Sequence, residues 1–138
     1  MDSRAAGLVS TSEQEYLADI QSGGVWYPPP YRIPFNASSS GLAASILASA
    51  GVARLYGFTV YSSRISAQYI LVFDLQAVPA NGALPAMPAL KFAADANLSV
   101  YFGSVGRSFD RGIALCNSST ASSLTLGSAD CWFDVQYG

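Results

Sequence analysis

Side chains able to do covalent or acid–base chemistry are scarce in this sequence and poorly grouped. Histidine is absent, which removes the usual base for a serine or cysteine nucleophile. Ser118, Ser119, Ser122 and Ser123 lie close together, but none sits in a G-x-S-x-G elbow. Cys116 and Cys131 are too few and too far apart for a metal motif. Each falls in an apolar, strand-like run, which leaves two readings: a pair of buried thiols, or a disulfide between neighbouring strands. Asp74, Asp95, Asp110, Asp130 and Asp134 stand singly at strand ends and turns. Neither a glycosidase-like carboxylate pair nor an oxygen cage for calcium can be nominated from them. Residues 102–107 (FGSVGR) hold two glycines without the GxGxxG spacing and read as a turn. The sequons at Asn36, Asn97 and Asn117 are chance matches in a serine-rich chain. The expectation is a protein that is not an enzyme and has no catalytic, cofactor-binding or metal-binding residues.

Recognition is better represented. Residues 26–35 (WYPPPYRIPF) hold four of the seven prolines, interleaved with aromatics. PPPY fits the PPxY pattern read by aromatic grooves, because a polyproline II segment loses little entropy on docking. The structural reading of the same stretch is a stiff spacer of about 3 Å per residue, whose aromatics pack on the domain or a neighbouring subunit. Aromatics and arginine dominate interface energetics. The candidate partner-binding residues are therefore Trp26, Tyr27, Pro28, Pro29, Pro30, Tyr31, Arg32 and Phe35. Residues 1–37 are read as an extended N-terminal arm with at most one short helix, over residues 13–20 (EQEYLADI). Ser12 can cap it, Glu13 and Glu15 lie near the positive end of its dipole, and Ser22-Gly23-Gly24 breaks it.

From residue 38 to 138 the pattern is that of short strands separated by turn residues. Residues 42–49 (LAASILAS) form the first expected strand. Residues 54–62 (RLYGFTVYS) alternate Tyr56, Phe58 and Val60 against Leu55, Thr59 and Tyr61, with Gly57 marking a bulge or a close backbone approach. Residues 68–75 (QYILVFDL) are apolar on both faces, as in a central strand buried between two layers. Residues 78–88 (VPANGALPAMP) make a connector whose prolines forbid a helix and whose Asn81-Gly82 pair favours positive φ. Further strands are expected over residues 90–93, 98–102, 112–117, 123–126 and 131–137. In the last, Trp132, Asp134 and Gln136 oppose Cys131, Phe133, Val135 and Tyr137. Seven or eight strands with almost no helix predict an all-β fold, an antiparallel β-sandwich or jelly-roll-like domain.

At 138 residues the chain suits one core-bearing domain. Charged residues make up only 12% and the net charge is −2. The basic residues are scattered, with no stripe to follow a phosphate backbone, so nucleic acid is not an expected partner. No run approaches a membrane span, and the first twenty residues carry acids where a leader needs a basic and then an apolar stretch. The expectation is a chain made in the cytoplasm that does not engage a membrane.

Four runs carry a resemblance: LYGFTVY (residues 55–61), SAQYILVFD (66–74), GIALCNSST (112–120) and DCWFDVQY (130–137). Over residues 42–138 the sequence resembles small β-sandwich virion structural proteins of tailed bacteriophages. That resemblance transfers no catalytic residue. It implies a capsid decoration or cement protein on the virion surface, binding the major capsid protein lattice through the arm and contacting copies of itself as an oligomer or within the lattice. The alternative it leaves open is a receptor- or glycan-binding module of a head fibre or tail, with Tyr61, Tyr101 or Phe109 as a sugar platform.

Overall fold

The computed structural model describes residues 34–138, and Pro34–Gly138 forms a compact unit of its own. Nine strands follow in order: β1 (Phe35–Ala43), β2 (Ser45–Ser49), β3 (Ala53–Ser62), β4 (Gln68–Phe73), β5 (Leu90–Phe92), β6 (Ala96–Tyr101), β7 (Arg107–Phe109), β8 (Ile113–Ser118) and β9 (Cys131–Tyr137). All pairings are antiparallel. One sheet runs β1-β9-β3-β6, with β7 paired to the first residues of β3, and the other runs β2-β8-β4-β5. The expected all-β antiparallel sandwich is what the chain forms, and no helix occurs among the described residues.

The two sheets close on a core that the strand alternation builds. Leu55, Phe58 and Val60 of β3 and Cys131, Phe133 and Val135 of β9 meet Ile70 and Val72 of β4 and Ile113 and Leu115 of β8. The alternation read in residues 131–137 holds, with Trp132, Asp134 and Gln136 outward. In β3 a register shift between Leu55 and Gly57 turns Leu55 inward beside Phe58 and Val60 rather than opposite them. Gly57 also meets the expected close approach: a Cβ there would stand 2.5 Å from the Val100 carbonyl oxygen.

Strands β4 and β8 are buried on both faces because the smaller sheet has a second cover. Leu71, Phe73, Ala114, Cys116 and Leu124 form an outer cluster, flanked by Leu75, Ala83 and Ala89. Two loops meet over it. Gly82 N–H donates to the Leu124 carbonyl at 2.8 Å and Leu124 N–H to the Ala83 carbonyl at 2.9 Å, while Leu126 N–H donates to Asn81 Oδ1 at 2.8 Å. Gly82 adopts φ 93°, as the Asn-Gly pair led one to expect. The polar residues of the NSST run hold the second loop. Ser118 Oγ accepts from the N–H groups of Thr120 and Thr125, and Thr120 Oγ1 donates to the Ser123 carbonyl.

Four details differ from the strand pattern expected. Residues 42–49 are not one strand: the chain passes from the first sheet to the second at Ala44, so β1 and β2 are edge strands of different sheets. Residues 123–126 contribute only a bridge from Leu126 to Ser118, since their groups go to the loop contacts above. Strand β7 was not anticipated. Residues 35–37, read with the arm, pair with β9 as the start of β1.

Both cysteines are free thiols, fully buried, with Cys131 in the inter-sheet core and Cys116 in the outer cluster. No disulfide joins them. Burial pushes the Cys116 thiol up to about 12. Burial likewise pushes Cys131 up to about 11, against a lowering contribution from Ser62. Stability that depends on the neutral thiols is complete below about pH 9.0, the ordinary value, and is lost as pH rises through these folded values. Urea midpoints are expected to fall above pH 9.0, less steeply in Cys116→Ala. A thiol reagent at neutral pH is expected to react with neither cysteine until the protein unfolds.

Candidate functional site

Of the proposed partner-binding residues, Trp26, Tyr27, Pro28, Pro29, Pro30, Tyr31 and Arg32 lie outside the described residues. Phe35 opens β1 with 65% of its surface exposed. Its ring lies 5.7 Å from that of Tyr137 on β9 at an interplanar angle of 42°, so the last residue of the aromatic-proline stretch stands exposed on β1 beside a half-buried tyrosine of the neighbouring strand.

The outer face of the larger sheet carries the other exposed aromatics, arranged in rows across its strands by the register. Leu42, Trp132, Tyr61 and Asn97 align in one row, Ser38, Asp134, Thr59 and Ser99 in the next, and Asn36, Gln136, Gly57 and Tyr101 in the third. Asp134 is the single charge among them. The Trp132 indole N–H donates to Ser38 Oγ at 3.2 Å, which ties its ring toward β1. Tyr61 OH donates to Asp95 Oδ1 at 3.1 Å. That hydrogen bond, followed by the Asp95 charge, holds the phenol above its ordinary pKa.

A hollow of about 250 Å³ opens on this face between β9, β3 and β6, lined in part by Thr59, Ser99, Tyr101, Asp134 and Gln136. Residue 57 pairs with both Gln136 and Tyr101, and being glycine it places no side chain between them. The hydroxyls of Thr59 and Ser99 are 3.1 Å apart and hydrogen-bonded to each other. In the sequence Asp134 stands as a single acid and, with Gln136, as an outward residue of the last strand. Their convergence depends on the β3 register, which no local pattern reveals.

No family model, curated protein or solved structure matches the chain. Tyr61 and Tyr101 are exposed, but on strands rather than at loop tips. Phe109 is 2% exposed and packs in the inter-sheet core, so it cannot serve as a sugar platform. Asn117 is wholly buried, which removes its sequon from the surface. Among the described residues no group of three acids and cysteines could hold a metal ion, and no helix is long and apolar enough to cross a membrane.

Asp74 has a structural role. Asp74 accepts hydrogen bonds from the backbone N–H groups of Asp110, Arg111 and Gly112 at 3.1, 2.7 and 3.3 Å. Burial alone would raise its pKa, but these donors and the Arg111 charge hold it below the ordinary 3.8. A lowered carboxylate stabilises the fold above its unfolded value and ceases to do so as pH falls through the folded one. Asp74→Ala is expected to lower stability by about 1 kcal/mol near neutral pH, the scale of an exposed charge-assisted bond. Urea titrations near neutrality and below pH 3.8 should show that difference shrinking in acid.

Proposed function

We propose that this protein is a non-enzymatic structural component of a bacteriophage virion, a capsid decoration or cement protein. In this reading residues 1–33, together with the exposed Phe35, bind the major capsid protein lattice and the sandwich forms the body that fills a joint or faces outward. The observation that carries it is the division of labour along the chain. Pro34–Gly138 forms its own compact unit with a core between two sheets, and most of the aromatic-proline stretch precedes that unit in the sequence. The first strand of that unit, β1, opens at Phe35 and is paired on one side by β9.

The location of the exposed aromatics supports the same reading over a fibre-tip adhesin. Tyr61, Tyr101 and Trp132 lie on a broad sheet face, not at a loop end. An arm of this length can bury more than about 1,000 Å² of total surface, enough for a stable contact, and many copies on one lattice add avidity. Edge strands of a charge-poor sandwich also need cover, which contacts between copies would supply. The test is co-sedimentation of purified full-length protein with undecorated heads of the phage that encodes it. Saturable binding at a fixed number of copies per head is expected. Absence of binding to heads, with binding to tails or fibres instead, overturns the proposal.

A further inference from the structure

We infer that the hollow over Gly57 is a binding site for a single pyranose ring of a glycan, a role separate from attachment to a particle. The site combines an aromatic ring with groups that both donate and accept. Tyr101 stands 73% exposed at the rim, offering a ring face on which the C–H face of a sugar can lie, since the aromatic face is the negative end of its quadrupole. Across Gly57 from it is the Gln136 amide, and the adjacent row sets the Asp134 carboxylate and the Thr59 and Ser99 hydroxyls side by side along the same hollow.

The hydrogen-bonding inventory selects the ligand class. A site for a basic side chain would present acceptors alone. Here Gln136 supplies both donors and an acceptor, the Thr59–Ser99 pair, bonded to each other, leaves one hydroxyl donor and further lone pairs, and Asp134 supplies acceptors only. Sugar hydroxyls are themselves both donors and acceptors, so such a mixed set can satisfy them. The volume of about 250 Å³ falls below the roughly 300–1,000 Å³ typical of drug-sized ligands, which suits one ring and not an extended oligosaccharide. All five side chains sit on β3, β6 and β9, whose pairing fixes their spacing, so the arrangement is present before any ligand arrives.

The test is a nuclear magnetic resonance titration of the isotope-labelled full chain with glucose, galactose, mannose and N-acetylglucosamine in turn, and separately with free arginine. At least one sugar is expected to bind weakly, at about millimolar level as befits a small open site, and to shift the amides of Thr59, Ser99, Tyr101 and Gln136. Tyr101→Ala is expected to weaken that binding about tenfold, the order of a lost aromatic contact. Asp134→Asn, which keeps shape and removes charge, is expected to weaken it less. Trp132→Ala, on the same face outside the hollow, should leave it unchanged. Three results would overturn the inference: no response to any sugar, sugar responses that persist in Tyr101→Ala, or a hollow that responds to arginine alone.

Discussion

Gly112→Ala is expected to cost about 3 kcal/mol or more of stability, a large part of the roughly 5–15 kcal/mol available to a domain of this kind. A Cβ at this position would collide with the Leu75 carbonyl oxygen and stand 2.6 Å from that of Ser49. These are main-chain atoms on two sides, and neither can rotate away as a side chain would. The glycine itself has little room to retreat. Its N–H is held by Asp74, and the next residue, Ile113, is paired to Ser49 in the ladder. Gly51→Ala provides the control, because nothing lies within 4 Å of the Cβ it would add. That variant is expected to stay within about 0.5 kcal/mol of the parent. Urea unfolding of both variants measures the difference, and equal midpoints would show that the main chain packed around Gly112 by Leu75 and Ser49 is far more compliant than its geometry.

Phe133→Ala is expected to cost about 3–5 kcal/mol, the range for removing a fully buried aromatic. Phe133 is wholly buried on β9, which is held by β1 on one side and β3 on the other. The opposing sheet supplies the far wall of the core, and two hydrogen-bonded layers cannot close over a cavity without shifting whole strands. Phe73→Ala offers an informative contrast. Phe73 is equally buried but faces the outer cluster, where loop segments around Ala83 and Leu124 form the lid. Loops can settle into a void more readily than sheets, so its cost is expected to fall toward 2–3 kcal/mol or less, in line with the dependence on residual cavity volume. The reverse order in denaturant titrations would mean that the loop layer is as stiff as the sandwich.

Where sequence alone was informative, the physical signal was local. Residues 131–137 alternate small polar or aromatic outward residues with apolar inward ones, and residues 68–73 show no polar face because loops cover the second side. Gly57 and Gly82 announced themselves because a missing side chain has few other uses inside a strand or after asparagine. What was missed depended on distant partners. β1 reads FNASSSGLA, a run of small polar residues with weak strand preference. Its irregularity is held by Ser39 Oγ, which accepts from Phe133 N–H at 3.0 Å. β7 is three residues long and exists only because β3 extends past β6. The aromatics Tyr61 and Tyr101 were recognised as candidates for exposure and Phe109 was misplaced with them, because a single buried phenylalanine beside polar residues has no periodicity to betray its direction. The hollow was illegible for the same reason. Its walls come from three strands, and only their register brings Tyr101, Thr59 and Asp134 together.

The most direct measurement of the central claim compares the full chain with a chain beginning at Pro34, using two readouts on the same samples. Thermal unfolding reports whether Pro34–Gly138 folds as the self-contained sandwich described above, and co-sedimentation with undecorated heads reports attachment. The expected result is a cooperative transition close to that of the full chain together with loss of head binding. Head binding retained by the shortened, folded chain would place attachment on the sandwich itself and contradict the assignment of that role to the aromatic-proline arm.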